Sequence, residues 1–289
     1  MKNNPPICCI ELTNACNANC KICVRNSMTR AIGLMSDELY KKIIDELSSW
    51  PTSYKEIVLV GFGETALDPK LPEKVKYAKE KGINKVQMFS NGSMLNRPLI
   101  DALISAGLDE IIFSIDSINP KKYEEIRKLH FSAVLENLEY FIEKSRGTGT
   151  SVLINSVAYS KDSFYDIKDI YKKYSGRVKD VLFSMATNWG GLKDGLDYSL
   201  FNNSVYTGIG NPPCPHLWTF LPIRWNGDVS LCCNDFDSKV SIGNLNTEKL
   251  IDVWNGERLG KLRKMHLEGT DNLISVCKDC NFYRNWWMR

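Results

Sequence analysis

Nothing in this chain approaches the roughly 20 consecutive apolar residues that cross a bilayer. Its apolar runs are the size of the stretch from Ile57 to Val60. The opening Met1-Lys2-Asn3-Asn4-Pro5-Pro6 carries a charge but no apolar h-region, so no secretory signal is read there and the expected location is the cytoplasm. Charge of one sign is also lacking. Lys plus Arg is 37 against 34 for Asp plus Glu, a balance that gives no reason to expect nucleic acid as a partner. The lysines at 70, 74, 76, 79 and 81 alternate with Glu73 and Glu80 and read as a solvated helix face. Repeats and low-complexity segments are absent. With 43% hydrophobic and 25% charged residues, the chain has material for a sizeable core and is not a disordered one.

Cysteine is missing from the long middle of the chain and concentrated at its two ends. Of ten cysteines, Cys8, Cys9, Cys16, Cys20 and Cys23 lie near the start, and Cys214, Cys232, Cys233, Cys277 and Cys280 in the last quarter. Disulfides are rare in a reducing compartment, and a chain this long does not need them to fold. Clustered thiols there are metal ligands or reactive groups.

The first two-thirds alternate between β-rich and helical patterns. Strands are predicted over 7–12, 56–60, 85–89, 110–115, 151–157 and 180–183. Helices are predicted from Ser36 with Leu39, Ile43, Ile44 and Leu47 on one face, and over 71–81, 98–106, 123–128, 133–144 and 164–174. The fold class is α/β: parallel βα units forming a partial (β/α)6 TIM-like barrel, two units short of closure. Glycine-rich and polar stretches near 189–195 and 202–213 mark a boundary, giving a barrel over 1–200 and a small domain over 201–289. In the latter, segments 220–225 and 228–231 flank an Asn226-Gly227 turn, a strong hairpin signal. Helices are expected over 248–254 and 257–267.

Cys16, Cys20 and Cys23 form a C-x3-C-x2-C motif directly after the first strand. Three thiolates so spaced can each take one corner of a 4Fe–4S cube, a group normally held by four. Cys8 and Cys9 lie on a stiff strand and suit a ligand loop poorly, so one iron would be left open to a small molecule. The alternative is a structural zinc site with a distant fourth ligand.

This motif resembles that of the radical S-adenosylmethionine (SAM) superfamily, and the resemblance extends along most of the chain. Gly61-Phe62-Gly63-Glu64 is similar to the family's Gly-Gly-Glu-like motif after the second strand, which lies against the methionine amino group. Ser90-Asn91-Gly92 resembles its Thr-Asn-Gly after the third. Ser114-Ile115-Asp116-Ser117 follows the fourth strand, where members contact the ribose. Arg127 stands at the spacing of a residue that holds the methionyl carboxylate, and Val157 at that of an adenine contact. These roles are chemically apt: an ammonium needs a carboxylate or carbonyls, and a carboxylate suits a guanidinium. Two positions depart from the family pattern. Ile22 replaces an aromatic residue before the third cysteine, and Thr65 replaces a proline after the glutamate.

The tail, with Cys214, Gly227, Cys232 and the pair Cys277 and Cys280, resembles the short auxiliary-cluster domain called twitch, whose four thiolates hold a second 4Fe–4S cluster. The nine residues after Cys280 leave no room for the extra cysteines of the longer SPASM version. A zinc ribbon is the alternative. Of the adjacent Cys232 and Cys233, the Gly-x4-Cys spacing selects Cys232 as ligand. Cys233 is then a packed thiol or a hydrogen donor.

The resemblance implies reductive cleavage of SAM to a 5′-deoxyadenosyl radical and abstraction of a substrate hydrogen. The tail features Asp235-Phe236, Ile242-Gly243-Asn244 and Asp252-Val253-Trp254 are most similar to superfamily members that oxidise a secondary alcohol of an aminocyclitol or sugar. The auxiliary cluster would then accept an electron, and Asp235 and Arg224 are candidates for handling the alcohol proton. Peptide cross-linking and epimerisation with Cys233 as hydrogen donor are the competing activities. About six residues precede the first strand, which counts against an appended leader-peptide domain. A non-enzymatic metal-binding protein is a further alternative. The implied partners are a small-molecule or peptide substrate and an external one-electron donor such as flavodoxin or ferredoxin.

Overall fold

The computed structural model describes Pro5 and residues 7–51, 55–189 and 213–280. The predicted strands form one parallel series: β1 (Ile7–Ile10), β2 (Glu56–Leu59), β3 (Lys85–Ser90), β4 (Glu110–Ser114), β5 (Ser151–Ala158) and β6 (Asp180–Met185). Helices cross between them: α1 (Asp37–Ser48), α2 (Leu71–Glu80), α3 (Arg97–Ser105), α4 (Pro120–Arg127), α5 (Phe131–Lys144) and α6 (Lys161–Tyr174). Each predicted helix is present. Several begin earlier than the apolar pattern alone suggests, because a polar cap sits upstream of it. Asn119 caps α4 through Lys122 N, and the side chain of Ser160 caps α6 in a capping box with Ser163.

The tail adds α7 (His216–Thr219), β7 (Phe220–Ile223), β8 (Asp228–Ser230), β9 (Ser241–Asn244), α8 (Leu250–Trp254) and α9 (Glu257–Leu267). The expected hairpin forms β7 and β8, but it does not stand apart. The strand order is β6-β5-β4-β3-β2-β1-β7-β8-β9, with β7 parallel to β1 in the register Cys9 to Pro222. β8 and β9 then run antiparallel. The tail thus extends the barrel sheet beyond its first strand. The boundary expected at 200/201 lies outside the described residues.

Period-two alternation sorts the strand side chains into two faces. Ile10, Leu59, Met88, Phe113 and Ile154 point toward the helices and are fully buried in the main core. Burial of such a side chain contributes about 1.5–3 kcal/mol, and the helix residues packed on this layer add as much again. The opposite face carries Cys9, Val58, Ile112 and Leu153, and on β3 and β5 the half-buried Gln87, Phe89, Asn155 and Val157. It is the concave face of an open barrel, and the loops at its carboxyl ends carry the residues of interest. Among the described residues no helix is long and apolar enough to cross a membrane.

Candidate active site and thiol clusters

The loop after β1 is pinned from three sides. Glu64 N donates to Ala15 O at 2.8 Å, Lys21 N to Ile126 O at 2.8 Å, and Asn91 Nδ2 to Asn17 Oδ1 at 3.0 Å. The first contact is backbone on backbone. A Cβ on Gly63 would lie 2.2 Å from Thr13 O, so only glycine lets the two loops meet. Cys16, Cys20 and Cys23 are half-buried on this loop. Their sulfurs accept weak hydrogen bonds: Ala18 N lies 3.4 Å from Cys16 Sγ, and Arg25 N 3.4 Å from Cys23 Sγ. The Cys20 thiol donates to Arg127 O at 3.6 Å. Burial pushes the Cys16 thiol up to about 11, against the pull of the Ala18 N–H. Burial also raises Cys20, and Arg127 opposes it. Such thiols release their protons when a metal binds. A half-exposed three-thiol loop with N–H groups aimed at sulfur fits a cube with one corner free.

Beside it, Glu64 is buried and accepts from Ala66 N at 3.1 Å, Ser90 Oγ at 2.7 Å and Asn91 N at 2.7 Å. Burial raises its carboxyl despite these bonds. The resemblance pairs Glu64 with an ammonium, and a desolvated carboxylate would attract one strongly. Asp116 is fully buried. Its Oδ2 accepts from Arg127 Nε at 2.5 Å and its Oδ1 from Val157 N at 2.8 Å. The pair joins the ends of β4 and β5 to the last turn of α4. The Arg127 side chain also hydrogen-bonds the Cys20 sulfur, and with five N–H donors its fork retains some for a carboxylate. Ser90, Asn91, Ser114 and Val157 all sit at or just past the carboxyl ends of their strands. The residues that the resemblance assigns to SAM therefore sit at one rim of the sheet.

Four cysteines gather at the tail. Cys214, Cys277 and Cys280 are buried and Cys232 is half-buried. Burial raises Cys232 well above the ordinary thiol value, and the other thiols, Cys280, Cys277 and Cys214 among them, add to the shift. Burial likewise pushes Cys214 up to about 12. Asn234 Nδ2 lies 3.9 Å from Cys280 Sγ. Among the described residues no three Cys, His, Asp or Glu side chains converge on a single-ion site. A cube instead takes one thiolate at each of four separate corners. Cys233 contacts His216 Nδ1 at 3.3 Å.

Asp235 and Arg224 are occupied in shaping this loop. Asp235 accepts from Lys239 N at 2.8 Å and Val240 N at 2.9 Å. Arg224 donates to Ser230 Oγ at 2.8 Å, Asp235 O at 2.7 Å and Cys232 O at 3.2 Å. It also lies over the Phe62 ring, 5.0 Å from the centroid. Phe62 makes edge contacts with Phe236 and Trp189.

The sequence reading missed the residue that ties the two thiol regions together. Glu11 is buried just past β1 and accepts both Arg30 nitrogens at 2.6 Å and Phe62 N at 3.0 Å. Arg224 Nη1 stands 3.8 Å away. Arg30 reaches on to Phe236 O at 2.5 Å, and Thr29 N to Asp237 Oδ1 at 2.7 Å. The signal was present: a carboxylate ending an apolar strand needs a buried cation.

Two family models match the chain. The Radical SAM superfamily model covers residues 10–174, and the SPASM iron–sulfur cluster-binding domain covers 214–281. A tungsten-containing aldehyde ferredoxin oxidoreductase cofactor-modifying protein of Pyrococcus furiosus is 23% identical over 94% of this chain and 86% of its own. The S-adenosyl-L-methionine-dependent 2-deoxy-scyllo-inosamine dehydrogenase of Niallia circulans is 22% identical over 94% of this chain and 91% of its own. Among solved structures, BtrN in complex with AdoMet and 2-DOIA superposes with a TM-score of 0.65 at 20% identity, covering 97% of this chain and 94% of that one.

Proposed function

The chain belongs to the Radical SAM superfamily, and on that premise we propose that it oxidises a secondary alcohol of a sugar, polyol or aminocyclitol to a ketone. As a Radical SAM enzyme with an iron–sulfur cluster-binding domain, it works with SAM and two 4Fe–4S clusters. When bound, these groups supply a hydrogen-abstracting adenosyl radical at one site and a one-electron acceptor at the other.

The protein holds, orients and shields. Cys16, Cys20 and Cys23 hold the first cluster. The Arg127 fork takes the methionyl carboxylate, Glu64 faces the ammonium, and Ser90, Asn91, Ser114, Asp116 and Val157 line the nucleoside. Close packing of the loop containing Gly63 against the cysteine loop fixes the three thiols in place. Cys214, Cys232, Cys277 and Cys280 hold the second cluster. Arg224 and Asp235 act as positioning residues for its loop. The polar, half-buried Asn155, 3.2 Å from Ser184 Oγ, offers hydrogen bonds to a hydroxylated substrate on the concave face. An external donor such as flavodoxin or ferredoxin supplies the electron, in the cytoplasm, whose reducing conditions keep cysteine ligands from pairing as disulfides.

The observation that carries the oxidase reading is the four-thiol set of the tail. A cube with every iron bound by cysteine has no corner for substrate, and electron transfer is the work left to it. The Cys233 to His216 contact favours a second reading, a radical epimerase in which the thiol returns hydrogen. The test uses anaerobically reconstituted, reduced protein with SAM and 2-deoxy-scyllo-inosamine, then a panel of other aminocyclitols and polyols. Ketone formed in step with 5′-deoxyadenosine is expected. Recovered alcohol carrying one carbon-bound solvent deuterium, with no ketone, would replace oxidation by epimerisation.

A further inference from the structure

Buried polar atoms are nearly always paired, and an exception asks for a partner the protein alone does not supply. Tyr123 is one. It lies in α4 with no exposed surface, its ring 4.9 Å from that of Phe131. Its hydroxyl makes no hydrogen bond among the described residues. Phenylalanine would fill the same space without leaving a donor unsatisfied in the core.

The helix says where the hydroxyl belongs. Arg127 is four residues on, and so lies on the same face of α4. The Arg127 carbonyl accepts from the Cys20 thiol, and the Ile126 carbonyl takes Lys21 N. The last turn of α4 therefore rests against the cysteine loop. Burial raises the phenol far above its ordinary value, and the charges around it are Arg127, Asp116, Cys20 and Glu64, all members of the first site. The hydroxyl is thus an unsatisfied donor among the groups of the first site.

We propose that the Tyr123 hydroxyl donates a hydrogen bond to the first cluster, at the Cys20 sulfur or the sulfide beside it, and thereby raises the potential of that cluster. This rests on the reading of Cys16, Cys20 and Cys23 as its ligands. Reduction adds negative charge to the cube, and a donor to its sulfurs favours the reduced state.

Tyr123→Phe removes only the oxygen. Redox titration followed by paramagnetic resonance gives the midpoint of each cluster, and the signal that changes on SAM addition identifies the first. Measured without SAM, the variant should favour the oxidised first cluster about tenfold more than wild type, a fall of about 59 mV for one electron. The second cluster serves as an internal control and should keep its midpoint. Cofactor-free variant should melt no lower than cofactor-free wild type, because the hydroxyl has no partner there. An unchanged first midpoint with weaker SAM binding would assign the hydroxyl to SAM and overturn the proposal. So would a lower melting point of the cofactor-free variant, which would mean the bond is made within the protein. Wild-type protein with no SAM-sensitive signal would remove the first cluster, and the proposed function with it.

Discussion

The two thiol regions are built on opposite plans. The first has three half-exposed cysteines on one loop, with charged and polar side chains from three strand ends and from α4 beside it. The second has four cysteines scattered from 214 to 280, three of them buried, and Cys214, Cys277 and Cys280 belong to the apolar core. The difference in exposure supports the proposed assignment of chemistry to the first and electron transfer to the second.

The most severe way to break this contrast is to delete one side of it. Cys16→Ala, Cys20→Ala and Cys23→Ala together should lower the iron content from about eight to about four per chain. SAM cleavage should disappear entirely by chromatography of 5′-deoxyadenosine. Retained cleavage would place SAM at the wrong site.

The junction between the regions is next. Glu11→Gln leaves Arg30 and Arg224 with no buried anion between them. It should cost about 3–5 kcal/mol in chemical unfolding of the cofactor-free protein. Burial raises the Glu11 carboxyl, but the Arg30 and Arg224 guanidiniums outweigh it and hold it below its usual value. A lowered folded-state value contributes stability above the ordinary glutamate range and loses it as pH falls through the lowered one. Wild type should therefore lose its advantage over Glu11→Gln on acidification. A difference constant with pH would mean that the charge does not matter.

Arg127→Ala should weaken SAM binding by about 2–5 kcal/mol in calorimetry, since it removes a buried cation and leaves Asp116 unpaired. Equal affinity would separate the Arg127 and Asp116 pair from the SAM site. The smallest effect is expected at Cys233. Its replacement by alanine should leave ketone formation near wild-type rate, because the change in packing is small. Lost product with continued SAM cleavage would make Cys233 the hydrogen donor.

The two regions also differed in how far the sequence disclosed them. Six strands, their helices and the C-x3-C-x2-C loop were readable because local periodicity and short spacing encode them. Glu64, Asp116 and Arg127 were singled out only by the family resemblance, and their contacts with SAM are part of the proposal. The pairing of Asp116 with Arg127 and with Val157 N was not readable, since it depends on where α4 ends in space. In the tail, the hairpin turn was legible, but the pairing of β7 beside β1 was not, because nothing local specifies a parallel partner more than 200 residues away. Glu11 and Tyr123 escaped for the same reason. A carboxylate and a phenol in an apolar setting acquire meaning only from neighbours on other elements.

The contrast is tested most directly by resonance spectra of the reduced protein with and without SAM. Wild type should show two cluster signals, of which SAM alters one. The variant lacking Cys16, Cys20 and Cys23 should keep only the insensitive signal. A variant with Cys232, Cys277 and Cys280 replaced by alanine should keep only the sensitive one. A SAM-induced change in the variant without the first three cysteines, or zinc in place of iron at the second site, would contradict the division of labour between them.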